Sequence, residues 1–282
     1  MKSPSPLRYP GGKARLYPLV SQLIRENSLA GCTYCEPFAG GAGLAFSLLA
    51  NSIVGSVKLN DLDVGIAAFW RSVFHTPNEL IELIGSTPIS ISEWHRQQEV
   101  RKNPATGNDL LNGFALFFLN RTNRSGIVDG AGPIGGYEQT GQWLMDARFN
   151  RERLSAQIHH LSQFKDCVEI TEKDADTFID EVLCDEEAFL YLDPPYYRKA
   201  QKLYLNHYHH EDHKRIAEKL KDQRLGRWIV SYDDQPEISA LYASFRAISY
   251  PLQYSAGRKT VGIERMFFSD CLLLGEYTGV AA

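Results

Sequence analysis

No stretch of the 282 residues is apolar for long enough to span a membrane, and the first residues do not pair a charged leader with an apolar core. The chain is therefore expected in the cytoplasm, with no membrane partner. Cysteine is scarce, and the odd number of five fits a reducing compartment. Cys32 and Cys35 have no second pair to complete a zinc site, and the histidines near residue 210 open an amphipathic helix, so no metal is expected.

Positive charge is also in short supply. The 30 Lys and Arg residues face 34 Asp and Glu, which leaves a formal net charge of −4. That total argues against a nucleic-acid partner, but such binding follows local patches rather than the sum. Basic side chains gather in a few segments, which predict a positively charged cleft with salt-dependent affinity for nucleic acid. These segments contain Arg121 and Arg124, Arg148, Arg151 and Arg153, and Arg198, Lys199 and Lys202.

The glycine-rich turn near residue 40 lacks the full G-x-G-x-x-G fingerprint and the lysine of a P-loop. The turn, Glu36-Pro37-Phe38-Ala39-Gly40-Gly41-Ala42-Gly43, still follows a short apolar segment and precedes a helical pattern. Strand, glycine-rich turn and helix are the usual nucleotide-cofactor arrangement, because glycines let the backbone approach a ligand closely. Asp61 ends a second predicted strand, where an acid usually holds a ribose diol.

A second motif, Asp193-Pro194-Pro195-Tyr196, ends the apolar run Ala188–Leu192, which predicts a buried strand. Neither proline donates a backbone N–H, so the strand stops there and the chain leaves the sheet extended. A carboxylate, a free carbonyl and an aromatic ring then meet at the carboxyl edge of the sheet, where α/β proteins bind ligands. Such a cluster suits a flat base with an exocyclic amine, since it offers two acceptors and a ring for stacking.

Four motifs in order resemble one family. Tyr9-Pro10-Gly11-Gly12-Lys13, Glu36-to-Gly41, Leu59-Asn60-Asp61 and Asp193-to-Tyr196 look like the Dam-like (D12 class) DNA adenine-N6 methyltransferases, in the order of their α group. The resemblance implies an α/β fold, a Rossmann-like S-adenosylmethionine-dependent methyltransferase sheet with an inserted, mostly helical DNA-recognition domain. It also implies methyl transfer from S-adenosylmethionine to N6 of an adenine flipped out of double-stranded DNA, and it admits a restriction endonuclease as a partner.

The domain division follows the change in pattern along the chain. Residues 64–165 read as mostly helical and predict the recognition domain, whereas 1–63 and 166–282 predict the catalytic domain. The last third predicts an antiparallel pair of strands at 245–252 and 265–274. By resemblance, the Asn-Arg at 120–121 opens a base-reading hairpin. The sequence after it differs from that of relatives that read GATC, so the target sequence stays open.

The resemblance also implies a role for each motif. The Asp193 carboxylate and the Pro194 carbonyl accept the two N6 hydrogens, and Tyr196 stacks on the base. Asp174 is preferred over Asp176 for the cofactor's adenine amine because it lies nearer the strand end, which leaves Asp176 to cap a helix. The expected catalytic residues are Asp193, Pro194, Pro195 and Tyr196. The expected cofactor-binding residues are Tyr9, Lys13, Glu36, Pro37, Phe38, Gly40, Gly41, Gly43, Asp61, Asp174 and Asp193, and the expected DNA-binding residues are Arg121, Asn123, Arg124, Arg198 and Lys199.

Three other functions fit parts of this pattern. An N4-cytosine methyltransferase would use the same geometry, although serine more often stands in place of Asp193 there. RNA or protein-glutamine methylation shares the Asp/Asn-Pro-Pro-Tyr logic, but the large central insertion with basic loops favours DNA. The third alternative is a DNA- or cofactor-binding protein without catalysis.

Overall fold

A computed structural model of the chain describes residues 4–8, 13–197, 208–223, 226–254 and 260–275. Its strands are β1 (Thr33–Glu36), β2 (Ser56–Asn60), β3 (Val168–Thr171), β4 (Ala188–Leu192), β5 (Trp228–Asp233), β6 (Arg246–Tyr254) and β7 (Thr260–Phe268). They form one sheet in the order β3-β2-β1-β4-β5-β7-β6, parallel except for β7. The order reverses between β1 and β4, so the ligand crevice is expected at their carboxyl ends.

The helices are α1 (Tyr17–Glu26), α2 (Gly43–Ala50), α3 (Val64–His75), α4 (Pro77–Ser86), α5 (Ile91–Lys102), α6 (Asp109–Thr122), α7 (Arg151–Ser162), α8 (Ala175–Leu183), α9 (His210–Asp222) and α10 (Pro236–Leu241). Helices α2 and α9 connect neighbouring parallel strands, α8 leads from β3 at the sheet edge to β4 beside β1, and α3 to α7 all lie between β2 and β3. This arrangement confirms the predicted α/β, Rossmann-like fold.

The sheet is buried on both faces, as its side-chain alternation shows. Phe189 and Tyr191 of β4 join a hydrophobic cluster with α1 to α4, α6 and α7. Leu190 and Leu192 join a second cluster with α8, α9 and α10. Because successive strand residues point to opposite faces, the two clusters lie on opposite sides of the sheet.

Helix α3 links the helical segment to the sheet. The Trp70 ring lies 4.8 Å from that of Phe46 on α2, and Phe69 stacks on Phe117 of α6 at 5.5 Å. A Cβ at Gly113 of α6 would come within 2.6 Å of the Phe69 backbone, so the two helices cross closely because this residue is glycine. The side chains of α3 therefore belong to one core shared by the helical segment and the sheet.

The carboxyl ends of three strands are tied together by Asn60, which is fully buried. Its side-chain amide donates to the carbonyls of Pro37 and Lys173, and its oxygen accepts from the Lys173 N–H and the Thr171 hydroxyl. These bonds fix the positions at which the loops after β1, β2 and β3 leave the sheet.

The predicted antiparallel pair is present, but its second strand is displaced. Strand β7 spans Thr260–Phe268, whereas the sequence predicted 265–274. The predicted strand began at Arg265, yet Glu264 immediately before it already pairs within the sheet and its side chain is fully buried. The chain turns after Phe268, where the Ser269 N–H bonds to the Trp228 carbonyl.

Candidate active site

A cavity of about 300 Å³ opens at the carboxyl ends of β1, β2 and β4. Most of the residues predicted from sequence lie around it. Its lining includes Lys13, residues 36–43, Asp61, and 193–196, together with Leu62, Asp63, Asn120, residues 126–129, Ala175, Tyr191 and Tyr208. Four motifs that are distant in sequence therefore share one cavity.

The glycine-rich turn after β1 is held from two sides. The Gly40 N–H donates to Asp61 Oδ2 at 2.9 Å, and the Gly40 carbonyl accepts from Trp70 Nε1 at 2.9 Å. Gly40 and Ala42 both have positive φ, 45° and 46°, which glycine adopts freely but alanine adopts at a cost. The turn thus keeps its backbone at the cavity wall and leads directly into the first turn of α2.

Glu36 lies under this turn and is buried. Its carboxyl group accepts from the Tyr34 hydroxyl at 2.9 Å and from the Ala45 N–H in the first turn of α2. Burial is the main cause that raises the pKa of Glu36, to about 8. An amino cation bound here would restore its negative charge, because an opposite charge favours the ionised form.

Asp61 follows β2 and accepts two backbone N–H bonds, from Gly40 to Oδ2 and from Asp63 to Oδ1 at 3.0 Å. Burial, followed by the nearby Asp63 carboxylate, raises the pKa of Asp61 to about 7. Each carboxylate oxygen has a second lone pair, so Asp61 retains acceptor capacity for ligand hydroxyl groups.

Asp193 stands at the end of β4, half-buried, with two polar neighbours. Lys13 Nζ lies 3.1 Å from its Oδ1, and the Ser231 hydroxyl donates to the same oxygen at 3.2 Å. Within the described part of the chain, neither contact involves Oδ2. One oxygen is therefore fixed by the protein, while the other is left to accept a hydrogen bond from a ligand.

Glu264 on β7 completes this arrangement, although no motif in its local sequence indicates such a role. Its carboxylate accepts from Lys13 Nζ at 2.7 Å, from the Tyr250 hydroxyl at 2.7 Å and from the Tyr196 hydroxyl at 3.2 Å. Lys13 is buried as well, and its ammonium lies 5.7 Å from the centroid of the Tyr196 ring. One buried carboxylate thus positions both Lys13 and the ring of the Pro-Pro-Tyr turn.

The charges of this group determine its protonation. Burial is the largest influence on Asp193 and raises its pKa to about 6, against the opposing effect of Lys13. Glu264 raises the pKa of Asp193 further through like-charge repulsion. Burial works against the ammonium of Lys13, but attraction from Asp193 and Glu264 outweighs it and raises the pKa of Lys13. Asp193 is therefore mainly ionised at neutral pH.

The loop after α6 forms the opposite wall of the cavity. Its ends meet in an isolated antiparallel bridge between Asn123 and Pro133. Asn120 is buried, bonds the backbone N–H and carbonyl of Arg8, and also donates to the Gly126 carbonyl. The segment before Lys13 is therefore attached to this loop.

The structure gives Asn123 a different role from the one predicted. The side chain is fully buried, its amide donates to the carbonyls of Ile127 and Val128, and its oxygen accepts from Trp94 Nε1. With these contacts made, Asn123 supports the loop from inside and does not present its amide to a base. That Asn123 binds DNA stays a prediction, and these contacts argue against it, because its buried amide already has partners.

The two predicted arginines beside it lie nearer the surface. Arg124 is exposed, while Arg121 is partly buried and donates to the main-chain carbonyls of Arg148 and Pro6. Burial, together with repulsion from Arg8, Arg153 and Arg148, lowers the pKa of Arg121 to about 10. Arg8, Arg121, Arg148 and Arg153 are called the arginine cluster from here on. Within the described residues, none of these four side chains forms an ion pair with a carboxylate, so together they make a positively charged surface.

The remaining predicted residues fall elsewhere. Asp174 caps α8 by accepting the Asp176 N–H at 2.9 Å, whereas Asp176 contacts Arg215. The prediction that Asp176 caps the helix is therefore wrong, because Asp174 takes that position. Ala175, not Asp174, lines the cavity. Tyr9, Arg198 and Lys199 lie outside the described residues.

Metal ligands are a separate question. Among the residues that the structure describes, no group of three or more His, Cys, Asp or Glu side chains is placed to hold a metal ion.

The strand order, the glycine-rich turn after β1 and the acidic turn after β4 are together those of a Rossmann-like methyltransferase. Residues 9–256 match the family described as D12 class N6 adenine-specific DNA methyltransferase. Since the match spans most of the sequence, the chain belongs to this family, and its activity is adenine-specific DNA methylation. The chain is also similar to the Type II methyltransferase M.MjaIII of Methanocaldococcus jannaschii, with 25% identity over 67% of this chain and 68% of that protein.

The family confirms the predicted adenine-N6 chemistry and DNA substrate. Methyltransferases of this family generally use S-adenosylmethionine. None of the helices in the described part of the chain has the length and apolar character needed to cross a bilayer.

Proposed function

We propose that the cavity binds S-adenosylmethionine along β1 and β2 and receives a flipped-out adenine of duplex DNA at Asp193–Tyr196. A base must leave the helix to reach such a site, because its amine is enclosed in the duplex. The observation that carries the proposal is the state of Asp193: one oxygen is fixed by Lys13 and Ser231, and the other stands at the cavity for a ligand N–H.

The residues around the cavity suit this cofactor. It carries ribose hydroxyl donors, an amino acid end and a positive sulfonium, and the wall offers the carboxyl groups of Glu36, Asp61 and Asp193. Asp61 would hold the ribose, and the 36–43 turn would hold the amino acid end beside Glu36. The bound cofactor supplies an electrophilic methyl group. Lys13 would act mainly through Asp193, which differs from its expected role as a cofactor-binding residue.

The chain contributes to the reaction chiefly by positioning. The ionised Asp193 and the Pro194 carbonyl accept the two N6 hydrogens, which draws the amine lone pair out of the ring and toward the methyl group. The new bond joins N6 to the methyl carbon as the carbon–sulfur bond breaks, with both electrons going to sulfur. The surplus N6 proton leaves through Asp193 to water. Groups fixed in this way typically contribute about 10²–10³-fold in rate each.

The domain division is also a proposal, with 64–165 as the recognition segment and the rest as the catalytic part. The arginine cluster, with Arg124, supports DNA contact on the recognition side, because unpaired positive charge favours phosphate. We further propose a restriction endonuclease of the same specificity as a partner, which the similarity to a Type II methyltransferase supports. DNA from cells expressing the chain should then resist that nuclease.

The central experiment is a labelled methyl-transfer assay. Purified protein and methyl-labelled S-adenosylmethionine are incubated with duplex DNA that contains adenine and with duplex DNA that lacks it. Label should appear only as N6-methyladenine, and Asp193→Ala should abolish transfer while cofactor binding persists. Transfer to adenine-free DNA would indicate the cytosine reaction, preference for RNA or protein would indicate another substrate, and full activity of Asp193→Ala would contradict the assigned role.

A further inference from the structure

A single arginine of α5 joins two walls of the cavity. Arg101 makes a two-pronged contact with Asp63, with both N–O distances at 2.6 Å. On its other side it contacts Asp129, at 3.2 Å through Nε and 2.8 Å through Nη2. Paired contacts of this planar kind fix orientation as well as distance.

The two acids belong to different parts of the site. Asp63 follows the cofactor-side residues Asp61 and Leu62 and caps α3 through the N–H groups of Gly65 and Ile66. Asp129 ends the 126–129 segment of the loop after α6, which forms the opposite wall. Arg101 therefore spans from the turn after β2 to the loop assigned to DNA.

The guanidinium at the centre of this bridge is buried, while the side chains of Asp63 and Asp129 are 20% and 33% exposed. The Arg101 side chain is 7% exposed, against 73% for Arg96 on the same helix. Burial opposes the Arg101 charge, but hydrogen bonds and attraction from Asp63 and Asp129 raise its pKa above the usual value. Loss of either carboxylate would leave the buried guanidinium with less compensating charge, so the bridge favours the arrangement in which both acids contact Arg101.

Helix α5 also holds the same loop at a second point. Trp94 donates its indole N–H to Asn123, whose amide in turn bonds the carbonyls of Ile127 and Val128. Trp94 and Arg101 are two helical turns apart and lie on one face of the helix. A shift of this loop is therefore transmitted to α5 and, through Arg101, to the turn that carries Asp61.

We propose that Arg101 is a positioning residue that couples the two binding events, so that DNA on the loop tightens cofactor binding and the cofactor tightens DNA binding. The proposal rests on the proposed function, which places cofactor and DNA on these two walls. Such coupling is reciprocal, and typical values are about 5–150-fold in affinity. If Arg101 served stability alone, its substitution would weaken the binding of cofactor and of DNA, but DNA would still change the cofactor affinity by the same factor.

The test measures the dissociation constant of S-adenosylhomocysteine by calorimetry, with and without saturating duplex DNA from cells that lack adenine methylation. The wild-type protein should bind the compound at least about fivefold more tightly with DNA. The ratio of the dissociation constant without DNA to that with DNA should fall close to one in Arg101→Gln, whereas Arg96→Gln should keep the wild-type ratio. Arg101→Lys should recover only part of the coupling, because ammonium cannot reproduce both paired contacts.

Asp129→Asn is the second variant, since it leaves the contact between Arg101 and Asp63 in place even if Arg101→Gln folds poorly. It should lower the ratio of the dissociation constant without DNA to that with DNA, toward one. An unchanged ratio in the folded variants, or a wild-type ratio of one, overturns the coupling. Failure of the wild-type protein to bind the compound or to methylate adenine would instead overturn the proposed function.

Discussion

The ammonium of Lys13 lies 3.1 Å from the carboxylate of Asp193, although the two residues come from opposite halves of the chain. The same ammonium lies 2.7 Å from Glu264, so one positive charge serves two carboxylates in a buried group. Lys13 lowers the pKa of Asp193 and Glu264 raises it, and burial exceeds both, with a result of about 6. The protonation of the catalytic turn thus depends first on burial and then on two charged residues outside the turn.

The rate of methylation should fall on the acid side as Asp193 takes up a proton, because only the carboxylate accepts the N6 hydrogen. The fall should centre near pH 6 in the wild-type enzyme, in line with the pKa of about 6. Lys13→Met removes the charge that lowers this pKa, so the acid limb of kcat should move to higher pH. Measurement at saturating cofactor and DNA isolates this shift, and an acid limb that stays in place contradicts the role given to Lys13.

Glu264→Gln should move the acid limb in the opposite direction. The substitution removes a negative charge that raises the pKa of Asp193, so the carboxylate should persist to lower pH. Glutamine is nearly the same size and keeps one acceptor oxygen for the hydroxyl of Tyr196 or Tyr250, while its NH2 group can donate to the other hydroxyl oxygen. Both variants should be measured over the same pH range. Electrostatic effects would move the two acid limbs in opposite directions, whereas a general loss of structure would lower the rates of both variants without such opposite shifts.

Tyr196→Ala should weaken transition-state binding by about 1–3 kcal/mol, the usual contribution of a base–aromatic stack. Tyr196→Phe keeps the ring and loses only the hydroxyl contact with Glu264, so its loss should be smaller. The value of kcat/KM for DNA is the measurement, with cofactor affinity as the control. Equal losses in the two variants would show that the hydroxyl, and not the ring, is what the reaction needs.

Arg148→Ala and Arg153→Ala should each reduce the salt dependence of DNA binding. If each arginine neutralises one phosphate, the slope of log K against log salt should become shallower by about one per substitution. Arg25→Ala, an exposed arginine on α1, is the matched control and should leave the slope unchanged. Identical slopes in all three variants would remove the arginine cluster from the DNA-binding surface.

Asn123→Ala should act on stability, since the buried amide serves two carbonyls and one indole N–H. Each buried group left without a partner costs about 1–3 kcal/mol, so a clear drop in Tm is expected. The neighbouring Arg124→Ala, at an exposed site, should leave Tm almost unchanged and weaken DNA binding. A stable Asn123→Ala protein with altered sequence preference would restore the base-reading role that the structure argues against.

Much of the fold was predictable because its signals are local. The apolar run 188–192 ends at two prolines, and the glycine-rich turn leads into a helix, so both strand ends at the cavity were located from sequence. The helices α3 to α7 of the middle segment agree with the helical pattern of its sequence. Lys13, the 36–43 turn, Asp61 and 193–196 do line one cavity, while their individual roles stay predictions.

The residues that were missed depend on distant contacts. Glu264 reads as a polar interruption of a strand, and its partners come from the first and last thirds of the chain. Arg101 sits on a polar helix whose pattern suggests a solvated face, yet it is buried between two acids. Asn123 is the opposite case, because its donors and acceptor suggest contact with a base, whereas its burial, which the local sequence does not show, argues against that contact. A buried charge can be identified only when its partner is also known.

The bond between Trp70 and Gly40 bears on attempts to exchange specificities among relatives. A segment exchanged between relatives from residue 64 onward would include Trp70. The exchange would then replace the indole that donates to the Gly40 carbonyl and contacts Phe46 of α2. A working chimaera should therefore keep α3 from the recipient and place its first junction beyond His75.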